Sequence, residues 1–398
     1  MSESPQRICI LGGGFGGLYT ALRLSEFSWS QPQPPEIVLV DQSDRFVFLP
    51  LLYELMTEEL QTWEIAPPFV ELLANTPVKF HQGKVANIDT YNRQVRLQEG
   101  ETLSYDRLLL ALGGETPLDI VPGAEQYAFP FKSIADAYRL EEKLRSLETS
   151  DTDPIRIVIV GGGYSGVELA CKLADRLKRR ARLRLVDRNE DILQSSTEFN
   201  RKASRKALSD RGIWLDLETN VQLVEAGSIS LEYRGKVDAI PTDVVVWTVG
   251  TRVLPVVKSL PLKQNQRGQL VTDVYLRVEG TSDIFALGDL AECRDASGQQ
   301  VPNTAQAAFQ QADYAAWNLR ASLSDRAMLP FQYQHLGEMM TLGIENATLT
   351  SLGMSMDGAI AHLARRLIYL YRFPTLDHQI KVGLNWIAQP LREFLFDT

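Results

Sequence analysis

The segment IRIVIVGGGYSGVELA, residues 155–170, nearly repeats the segment RICILGGGFGGLYTAL, residues 7–22. Each begins with an apolar run typical of a buried parallel strand, and each continues through a glycine-rich turn into a helical pattern, from about Leu18 in the first copy. Gly12 and Gly161 are separated by 149 positions. One βαβ plan therefore occurs twice, which predicts an α/β protein with two Rossmann-like domains.

Composition narrows the class of protein. A chain of 398 residues is long enough for two or three domains, and its net charge of −9 argues against a nucleic-acid partner. The three cysteines (Cys9, Cys171 and Cys293) are far apart and form no CxxC pair. Neither a metal site nor a signal peptide is predicted, and no apolar run reaches the ~18–20 residues of a membrane span. We therefore expect an intracellular protein.

The order of the remaining segments predicts how the two domains share the chain. Strand-like runs at 35–41 and 107–117 follow the first glycine turn, and equivalent runs at 181–188 and 243–252 follow the second. A third strand ending in Gly-Asp comes later, at 281–289. The first nucleotide domain is thus predicted to cover 1–117 and 251–328, interrupted by a second domain at 118–250 and followed by a C-terminal region at 329–398.

Both glycine turns have the G-x-G-x-x-G spacing that binds a dinucleotide. In this pattern the first glycine allows a tight turn, the second lets the backbone approach a pyrophosphate, and the third lets the helix pack closely on the strand. The glycines concerned are Gly12, Gly14 and Gly17 in the first turn and Gly161, Gly163 and Gly166 in the second. Asp41 and Asp187 end the following strands, where a carboxylate accepts hydrogen bonds from a ribose. Two dinucleotides indicate a flavin and a nicotinamide, and Asp289 is placed to meet the flavin.

With these motifs, the sequence resembles the two-dinucleotide flavoprotein reductases, and within them the type II NAD(P)H:quinone oxidoreductases, over nearly its whole length. Thr281, Gly288 and Asp289 match the Thr-x6-Gly-Asp motif of that family. An A-Q-x-A-x-Q quinone motif is matched by Ala305, Gln306, Ala308 and Gln310. Residues 52–69 and 365–386 are most similar to the cyanobacterial and plastid branch that reduces demethylphylloquinone in phylloquinone biosynthesis.

The resemblance implies FAD on the first motif, NAD(P)H on the second, and two-electron reduction of a lipid-soluble quinone without proton pumping. Glu168 and the two glutamines are the expected catalytic residues, with Glu168 orienting the nicotinamide or relaying protons. The further residues expected at the cofactors are Phe15, Gly16, Gly113, Ala305, Gln306, Tyr164, Ser165, Glu168, Arg188 and Gly250. The nicotinamide preference stays open, because Asp187 favours NADH whereas Arg188, Arg182 and Arg184 are suited to the phosphate of NADPH.

The residue types of the quinone motif suit an uncharged ligand. Gln306 and Gln310 are four positions apart, so on a helix they share one face and present amide donors to quinone carbonyls. The start of that helix near Thr304 would direct backbone N–H groups towards a flavin, favouring the anion that forms on reduction.

The C-terminal region has the pattern of an amphipathic helix. Apolar residues recur at helical spacing from Ile380, continuing through Leu384, Ile387, Leu391 and Phe394. Trp386 suits a membrane interface, and the arginines of the preceding segment are Arg365, Arg366 and Arg372. Pro390 is predicted to kink or end the helix. We interpret the tail as membrane-binding and place the protein on the cytoplasmic side of a thylakoid or plasma membrane. The alternative is a helix docked on the catalytic body or in a homodimer interface.

Two other functions stay open from the sequence. One is a reductase of a small redox protein such as ferredoxin or rubredoxin, which needs a cationic docking face. The other is a non-enzymatic flavoprotein that senses NADH. Disulfide and sulfide:quinone reductases need paired reactive cysteines, which the sequence does not offer.

Overall fold

The computed structural model describes residues 5–29, 33–324 and 326–396, with side chains as far as residue 388. The α-helices are α1 Phe15–Glu26, α2 Thr62–Ile65, α3 Phe69–Leu72, α4 Ala124–Tyr127, α5 Ile134–Glu148, α6 Tyr164–Leu177, α7 Glu198–Asp210, α8 Pro255–Lys258, α9 Ala305–Ser322, α10 Gly358–Arg372 and α11 Leu376–Phe396. Short 3-10 helices cover Leu49–Thr57, Lys178–Arg180 and Gly288–Leu290.

The strands are short and spread along the chain. They are β1 Arg7–Leu11, β2 Glu36–Asp41, β3 Lys79–Gln82, β4 Val85–Asp89, β5 Gln94–Leu97, β6 Thr102–Ser104, β7 Arg107–Leu110, β8 Gly114–Glu115, β9 Ala128–Pro130, β10 Ile155–Val160, β11 Ala181–Val186, β12 Trp214–Asp216, β13 Thr219–Glu225, β14 Ser228–Tyr233, β15 Lys236–Pro241, β16 Val244–Trp247, β17 Arg252–Val253, β18 Leu270–Val271, β19 Ile284–Ala286, β20 Ala291–Glu292, β21 Glu338–Thr341, β22 Ala347–Ser351 and β23 Met354–Asp357.

The first of two compact units takes in the described chain up to residue 46, together with 66–115 and 251–334. Within those residues a five-stranded parallel sheet has the order β19-β7-β1-β2-β3. Its central strands are almost wholly apolar and buried, as expected for a parallel sheet covered on both faces. Because β19 comes from the part of the chain after 250, this unit is interrupted by the second one, as predicted.

The second unit takes in 47–65, 116–250 and the described residues from 335. Its five-stranded parallel sheet, again counted within the described residues, has the order β9-β16-β10-β11-β12. The order matches that of the first sheet, except that the fifth strand, β9, precedes the others in sequence instead of following them. The α/β class with a duplicated Rossmann-like plan is confirmed. The ranges 1–117, 118–250, 251–328 and 329–398 remain predictions.

Each unit carries an antiparallel three-stranded meander at the same point of its plan. Strands β4-β5-β6 precede β7, and strands β13-β14-β15 precede β16. In the second unit Val158, Val160 and Trp247 of the sheet pack in one core with Val224 and Ile229 of the meander. The meander therefore buries one face of the sheet and supports the strand ends where the glycine turns begin.

Two local predictions are wrong. Helix α1 begins at Phe15 instead of near Leu18, because Gly16 and Gly17 lie within its first turn. A Cβ atom at Gly16 would lie 2.0 Å from a methyl carbon of Leu287, so a larger residue there would displace the Leu287 side chain. Helix α11 also does not end at Pro390, because its backbone stays helical to Phe396; of the two effects predicted for this proline, only the end of the helix is contradicted. Leu391 and Phe394 lie beyond the described side chains.

No helix in the described part of the chain is both long enough and apolar enough to cross a membrane. The C-terminal part of the second unit consists of the antiparallel sheet β21-β22-β23 followed by α10 and α11.

Candidate functional site

The two glycine turns have the same geometry. Each first glycine, Gly12 and Gly161, has a positive φ that other residues rarely adopt. A Cβ atom at the third glycine, Gly17 or Gly166, would lie 1.8 Å from the carbonyl oxygen of the first. A Cβ atom at the second glycine would meet no protein atom within 4 Å. The third glycine therefore allows close packing within the protein, whereas the second faces open space in which a pyrophosphate fits.

The glycines that face this open space are Gly14 in the first unit and Gly163 in the second unit. Each is the N-cap of the following helix. A helix N-terminus presents unpaired N–H groups and a positive dipole end to an anion. FAD and NAD(P)H therefore fit the two cradles. Which residues contact them remains a prediction.

The two strand-end aspartates, Asp41 and Asp187, accept hydrogen bonds from backbone N–H groups of the protein. In the first unit Gly13 N donates to Asp41 Oδ2 at 2.6 Å, and Ser43 N donates to Asp41 Oδ1 at 2.8 Å. In the second unit Gly162 N donates to Asp187 Oδ2 at 2.5 Å, and a backbone N–H two residues further on donates to Oδ1 at 2.8 Å. Burial raises the pKa of Asp41. Each carboxylate keeps lone pairs for a ribose, but it also fixes its glycine turn.

On the flavin side, Gly288 and Asp289 form the predicted turn after β19. Gly288 N donates to Oε1 of Gln311 at 3.0 Å, and Gln311 is buried. Sequence reasoning missed Gln311, although it follows Gln310 directly. It places α9 against the Gly-Asp turn and so sets the position of Asp289. Gly113, in the turn after β7, has a positive φ and open space at its missing side chain.

Phe15 packs within the first unit instead of lining open space. Its ring lies 5.3 Å from that of Phe46, edge to face, and 6.1 Å from that of Tyr19. At 9% exposure it is buried. The contact of Phe15 with the cofactor remains a prediction.

The quinone-motif glutamines lie on one face of α9, which begins at Ala305 after the N-cap Thr304. Gln310 binds the backbone of Gln334 twice, donating to its O at 2.8 Å and accepting from its N at 3.0 Å. Gln306 Oε1 accepts from the hydroxyl of Tyr333 at 3.0 Å. Both amides therefore hold the segment 333–334, and a quinone would have to share them.

The nicotinamide-side residues occupy the first turn of α6. Ser165 accepts a hydrogen bond from the hydroxyl of Tyr53 at 2.9 Å. Burial raises the pKa of Tyr164, which shares hydrogen bonds with Ser196 and Glu338. Gly250 follows β16 with a positive φ, at the position equivalent to Gly113.

Glu168, in the second turn of α6, is 6% exposed. Its Oε1 accepts a hydrogen bond from Thr341 N at 2.8 Å, and Nη2 of Arg365 lies 3.8 Å from the same oxygen. Burial raises the pKa of Glu168 to about 8, although Arg365 and the Thr341 N–H oppose this. The side chain can therefore hold a proton at neutral pH, an ability expected of a proton donor in an active site.

Arg365 does not lie on a membrane-facing surface, so that part of the tail prediction is wrong. The side chain is fully buried. Nη1 donates to Glu54 Oε1 at 2.5 Å, Nη2 donates to Pro50 O at 2.6 Å, and the guanidinium lies 4.8 Å from the ring centre of Tyr369. Arginine spacing in the sequence could not reveal this, because it does not distinguish the inner from the outer face of α10.

A second buried cation, Lys172, lies one turn after Glu168 on α6. Its Nζ is 3.9 Å from Glu54 Oε1 and forms an ion pair with Glu59. Burial alone would raise the pKa of Glu54, but the positive charges of Arg365 and Lys172 outweigh burial and hold this pKa below its ordinary value. The carboxylate is therefore charged. We call these four side chains the buried ionic cluster: Glu54, Glu168, Lys172 and Arg365. Sequence reasoning missed Glu54 and Lys172.

Two of the arginines proposed to accept an NADPH phosphate are misplaced for it. Arg184 is paired with Asp216 at 2.9 Å. Arg182 lies at the start of β11, about 16 Å from Asp187 at 3.3 Å per residue. Arg188 is exposed and directly follows Asp187, so it alone of the three stays a candidate.

The cysteines offer no reactive thiol. Cys9, Cys171 and Cys293 are all free and buried. Burial raises the pKa of Cys9 and of Cys171 to about 12 and that of Cys293 to about 11. Dithiol chemistry of the kind used by disulfide reductases therefore has no nucleophile here.

The fold and its two cradles define a two-dinucleotide oxidoreductase, and comparisons with known proteins agree. The family model described as pyridine nucleotide-disulphide oxidoreductase matches residues 6–312. The chain is 56% identical over 399 residues to demethylphylloquinone reductase NdbB of Synechocystis sp., covering 99% of both chains. It is 43% identical over 419 residues to alternative NAD(P)H-ubiquinone oxidoreductase C1, chloroplastic/mitochondrial, of Arabidopsis thaliana, covering 96% of this chain and 80% of the relative.

A solved structure, that of NDH2 from Plasmodium falciparum in complex with NADH, has the same fold with a TM-score of 0.84 at 16% identity, covering 99% of each chain. The chain therefore belongs to the pyridine nucleotide-disulphide oxidoreductase family and, within it, to the type II NAD(P)H:quinone oxidoreductases. FAD and NAD(P)H are the cofactors of this class.

Proposed function

We propose that this chain is an FAD-dependent NAD(P)H:quinone oxidoreductase that reduces a lipid-soluble naphthoquinone, demethylphylloquinone, by two electrons and without proton pumping. The observation that carries the proposal is the 56% identity, over 99% of both chains, to a demethylphylloquinone reductase. The two cradles and the absence of an exposed thiol among the three cysteines fit the same chemistry.

The residues of the cradles divide the binding between the two units. Gly14 and Asp41 of the first unit, with Asp289, would hold FAD, and Gly163 and Asp187 of the second would hold NAD(P)H. FAD, when bound, would supply the two-electron redox chemistry between NAD(P)H and the quinone.

Reduction of a quinone to a quinol also consumes two protons, and Glu168 is the residue suited to supply one. Its Oε1 is held by the Thr341 N–H, which leaves Oε2 to carry the proton. With a pKa near 8, the carboxyl is largely protonated at neutral pH yet able to release the proton to a reduced quinone.

A membrane surface is the proposed source of the quinone. Helices α10 and α11 each expose an apolar stripe at helical spacing, and each also carries buried residues, such as Ala361 and Arg365 on α10 and His378 and Val382 on α11. The stripes consist of Ile360, Leu363, Leu367 and Tyr371 on α10, and of Leu376, Ile380, Leu384 and Ile387 on α11. An interfacial helix binds a bilayer through a stripe of this kind, which supports peripheral attachment.

A turnover assay with the purified FAD-bound protein tests the function. Rates with NADH and with NADPH are compared for three electron acceptors, which are demethylphylloquinone, a benzoquinone and oxidised ferredoxin. We expect the highest kcat/KM with the naphthoquinone. Flavin that is reduced by NAD(P)H but is reoxidised only by ferredoxin would replace the proposal with a redox-protein reductase. Reduced flavin that none of the three acceptors reoxidises would indicate a sensing role.

A further inference from the structure

The buried ionic cluster is unbalanced in a way that bears on Glu168. Arg365 is shared by two carboxylates, but unequally: its guanidinium is 2.5 Å from Glu54 Oε1 and 3.8 Å from Glu168 Oε1. Only the first is a hydrogen bond, because the second exceeds hydrogen-bond distance. The positive charge nearest to Glu168 is therefore committed to another carboxylate.

Glu54 is well placed to keep this arrangement. It lies in the 3-10 helix Leu49–Thr57, is 1% exposed, and has Lys172 Nζ at 3.9 Å on the same oxygen. Its second oxygen, Oε2, is buried and has no hydrogen-bond partner among the described residues. A buried charged carboxylate with an unsatisfied oxygen is unfavourable unless strong cations hold it, and here Arg365 and Lys172 do so.

Without Glu54, the nearest anion for Arg365 would be Glu168. A shift of the guanidinium by about 1 Å would convert the 3.8 Å contact into a charge-assisted hydrogen bond. Glu168 would then be held as a carboxylate and could not carry a proton at neutral pH.

We propose that Glu54 is a positioning residue for quinone reduction: by holding Arg365, it keeps the guanidinium off Glu168 and leaves Glu168 able to carry a proton. This inference rests on the proposed function. It assigns to Glu54 a role that acts through Arg365 and not through contact with a cofactor or quinone.

Among the described ionisable groups that face Glu168, Arg365 is the one that offers this competition. Those that face it are Tyr53 and Glu54 from the 3-10 helix, Tyr164, Cys171 and Lys172 from α6, and Arg365 and Tyr369 from α10. The tyrosines are neutral, since burial raises the pKa of each. Lys172 is paired with Glu59. Arg365 is thus the cation whose position decides the charge of Glu168.

The test is a titration of Glu168 in the FAD-bound protein. The carboxyl C=O band is followed by infrared difference spectroscopy from pH 5 to 10 and is assigned by its loss in Glu168→Gln. In Glu54→Gln we expect the midpoint to move at least one pH unit lower, a tenfold loss of proton affinity. The kcat/KM for quinone at pH 8 should fall by a similar factor, with little change at pH 6.

Three further variants sharpen the test. Glu54→Asp withdraws the carboxylate by one methylene, so its midpoint should lie between those of wild type and Glu54→Gln; it carries the test if Glu54→Gln does not bind FAD. Glu54→Gln with Arg365→Met removes the pair together, and the lowering should disappear. Glu141→Gln removes a carboxylate paired with Arg176, away from the cluster, and should leave the midpoint unchanged.

A wild-type midpoint retained in folded Glu54→Gln or Glu54→Asp would overturn the inference, as would a lowering that persists in the double variant. Failure of wild type to reduce quinone would instead refute the proposed function, and the infrared titration would still decide the role of Glu54.

Discussion

Gly163 and Gly166 lie three residues apart in one turn, yet a methyl group would affect them in opposite ways. At Gly163 the backbone has φ −78° and ψ −172°, which alanine adopts, and the added carbon would meet no protein atom within 4 Å. At Gly166 the added carbon would lie 1.8 Å from Gly161 O. Gly163 therefore leaves room for the ligand, whereas Gly166 is required by the packing of the fold.

Gly163→Ala is therefore expected to raise the KM for NAD(P)H about tenfold, equivalent to ~1.4 kcal/mol of binding, without changing FAD content or Tm. Its methyl group occupies the space into which a pyrophosphate fits. Gly166→Ala should instead lower the free energy of unfolding by about 3 kcal/mol through steric overlap. Steady-state kinetics and thermal unfolding separate the two. Equal effects of both variants on Tm would contradict this division.

The predicted role of Asp187 in the nicotinamide preference can be tested by substitution. Asp187 accepts two backbone hydrogen bonds, so Asp187→Ser removes a brace of the turn as well as a charge. We expect it to improve NADPH use relative to NADH about tenfold, because a 2′-phosphate no longer meets a carboxylate. Asp187→Asn is the matched control: it removes the charge, keeps an acceptor, and should shift the ratio in the same direction. An unchanged kcat/KM ratio in both variants would show that Asp187 does not meet the adenosine ribose.

Helix α11 is docked through one face and exposes apolar side chains on the other, so the proposed membrane contact has to be tested on the outer face. Its inner face is docked: Trp386 Nε1 donates to Glu64 Oε1 at 2.8 Å, and the ring of His378 is hydrogen-bonded to Glu64 O at 2.7 Å. Its outer face exposes Leu384 and Ile387. Removing the whole helix would uncover the fully buried Glu64, so truncation cannot separate membrane binding from folding.

Point substitutions on the outer face make the separation. Leu384→Gln with Ile387→Gln should reduce co-sedimentation with anionic vesicles about a hundredfold, from roughly 1.5 kcal/mol of lost burial per side chain. Val70→Gln is the control, since Val70 is 72% exposed in the other unit. Thermal unfolding should be unchanged in both. Undiminished sedimentation of the double variant would rule out α11 as a membrane contact.

The inner face of α11 is tested by Trp386→Phe. This substitution keeps an aromatic ring but leaves Glu64 Oε1 with only the 3.2 Å contact to Asn385, so unfolding should become easier by about 1–2 kcal/mol. Denaturant titration measures it, and Trp214→Phe, at an exposed position, is the reference. Equal stability of the two variants would mean that the hydrogen bond from Trp386 contributes little to docking.

These elements show how far sequence reasoning reaches. Local patterns predicted β1, β10 and the helices that follow them, although not the first residue of α1, because strand and helix periodicity depend on near neighbours. Arg365 and Glu54 were not predicted to meet, since 311 positions separate them and a buried ion pair leaves no local pattern. Trp386 was expected at a membrane surface because the sequence does not reveal its partner. An indole ring can lie at a membrane interface or donate its N–H to a buried carboxylate.

At the scale of the whole molecule, Glu168 makes stability depend on pH. Its pKa in the folded state, about 8, lies above the ordinary value of 4.5. The folded state therefore binds its proton more tightly, and this contribution is present in full below pH ~4.5 and lost as the pH rises towards 8. At ~1.36 kcal/mol per pKa unit, the contribution of Glu168 to the free energy of unfolding is a few kcal/mol.

We therefore expect Glu168→Gln, which cannot ionise, to lose less stability than wild type between pH 5 and pH 9. Denaturant unfolding at several pH values measures the difference, and Glu141→Gln serves as the control because Glu141 pairs with Arg176 and Arg145 instead. Parallel pH profiles for wild type and Glu168→Gln would contradict a raised pKa.

The position of the fifth strand in each sheet has a consequence for synthesis. The sheet of the second unit draws its strands from residues 128–247, whereas that of the first must wait for β19 at Ile284–Ala286. On a ribosome the later nucleotide domain can thus complete its sheet before the earlier one does. The nascent chain carries β1, β2, β3 and β7 without their last neighbour throughout that interval, so the half that is made first is the half left longer with an open sheet edge.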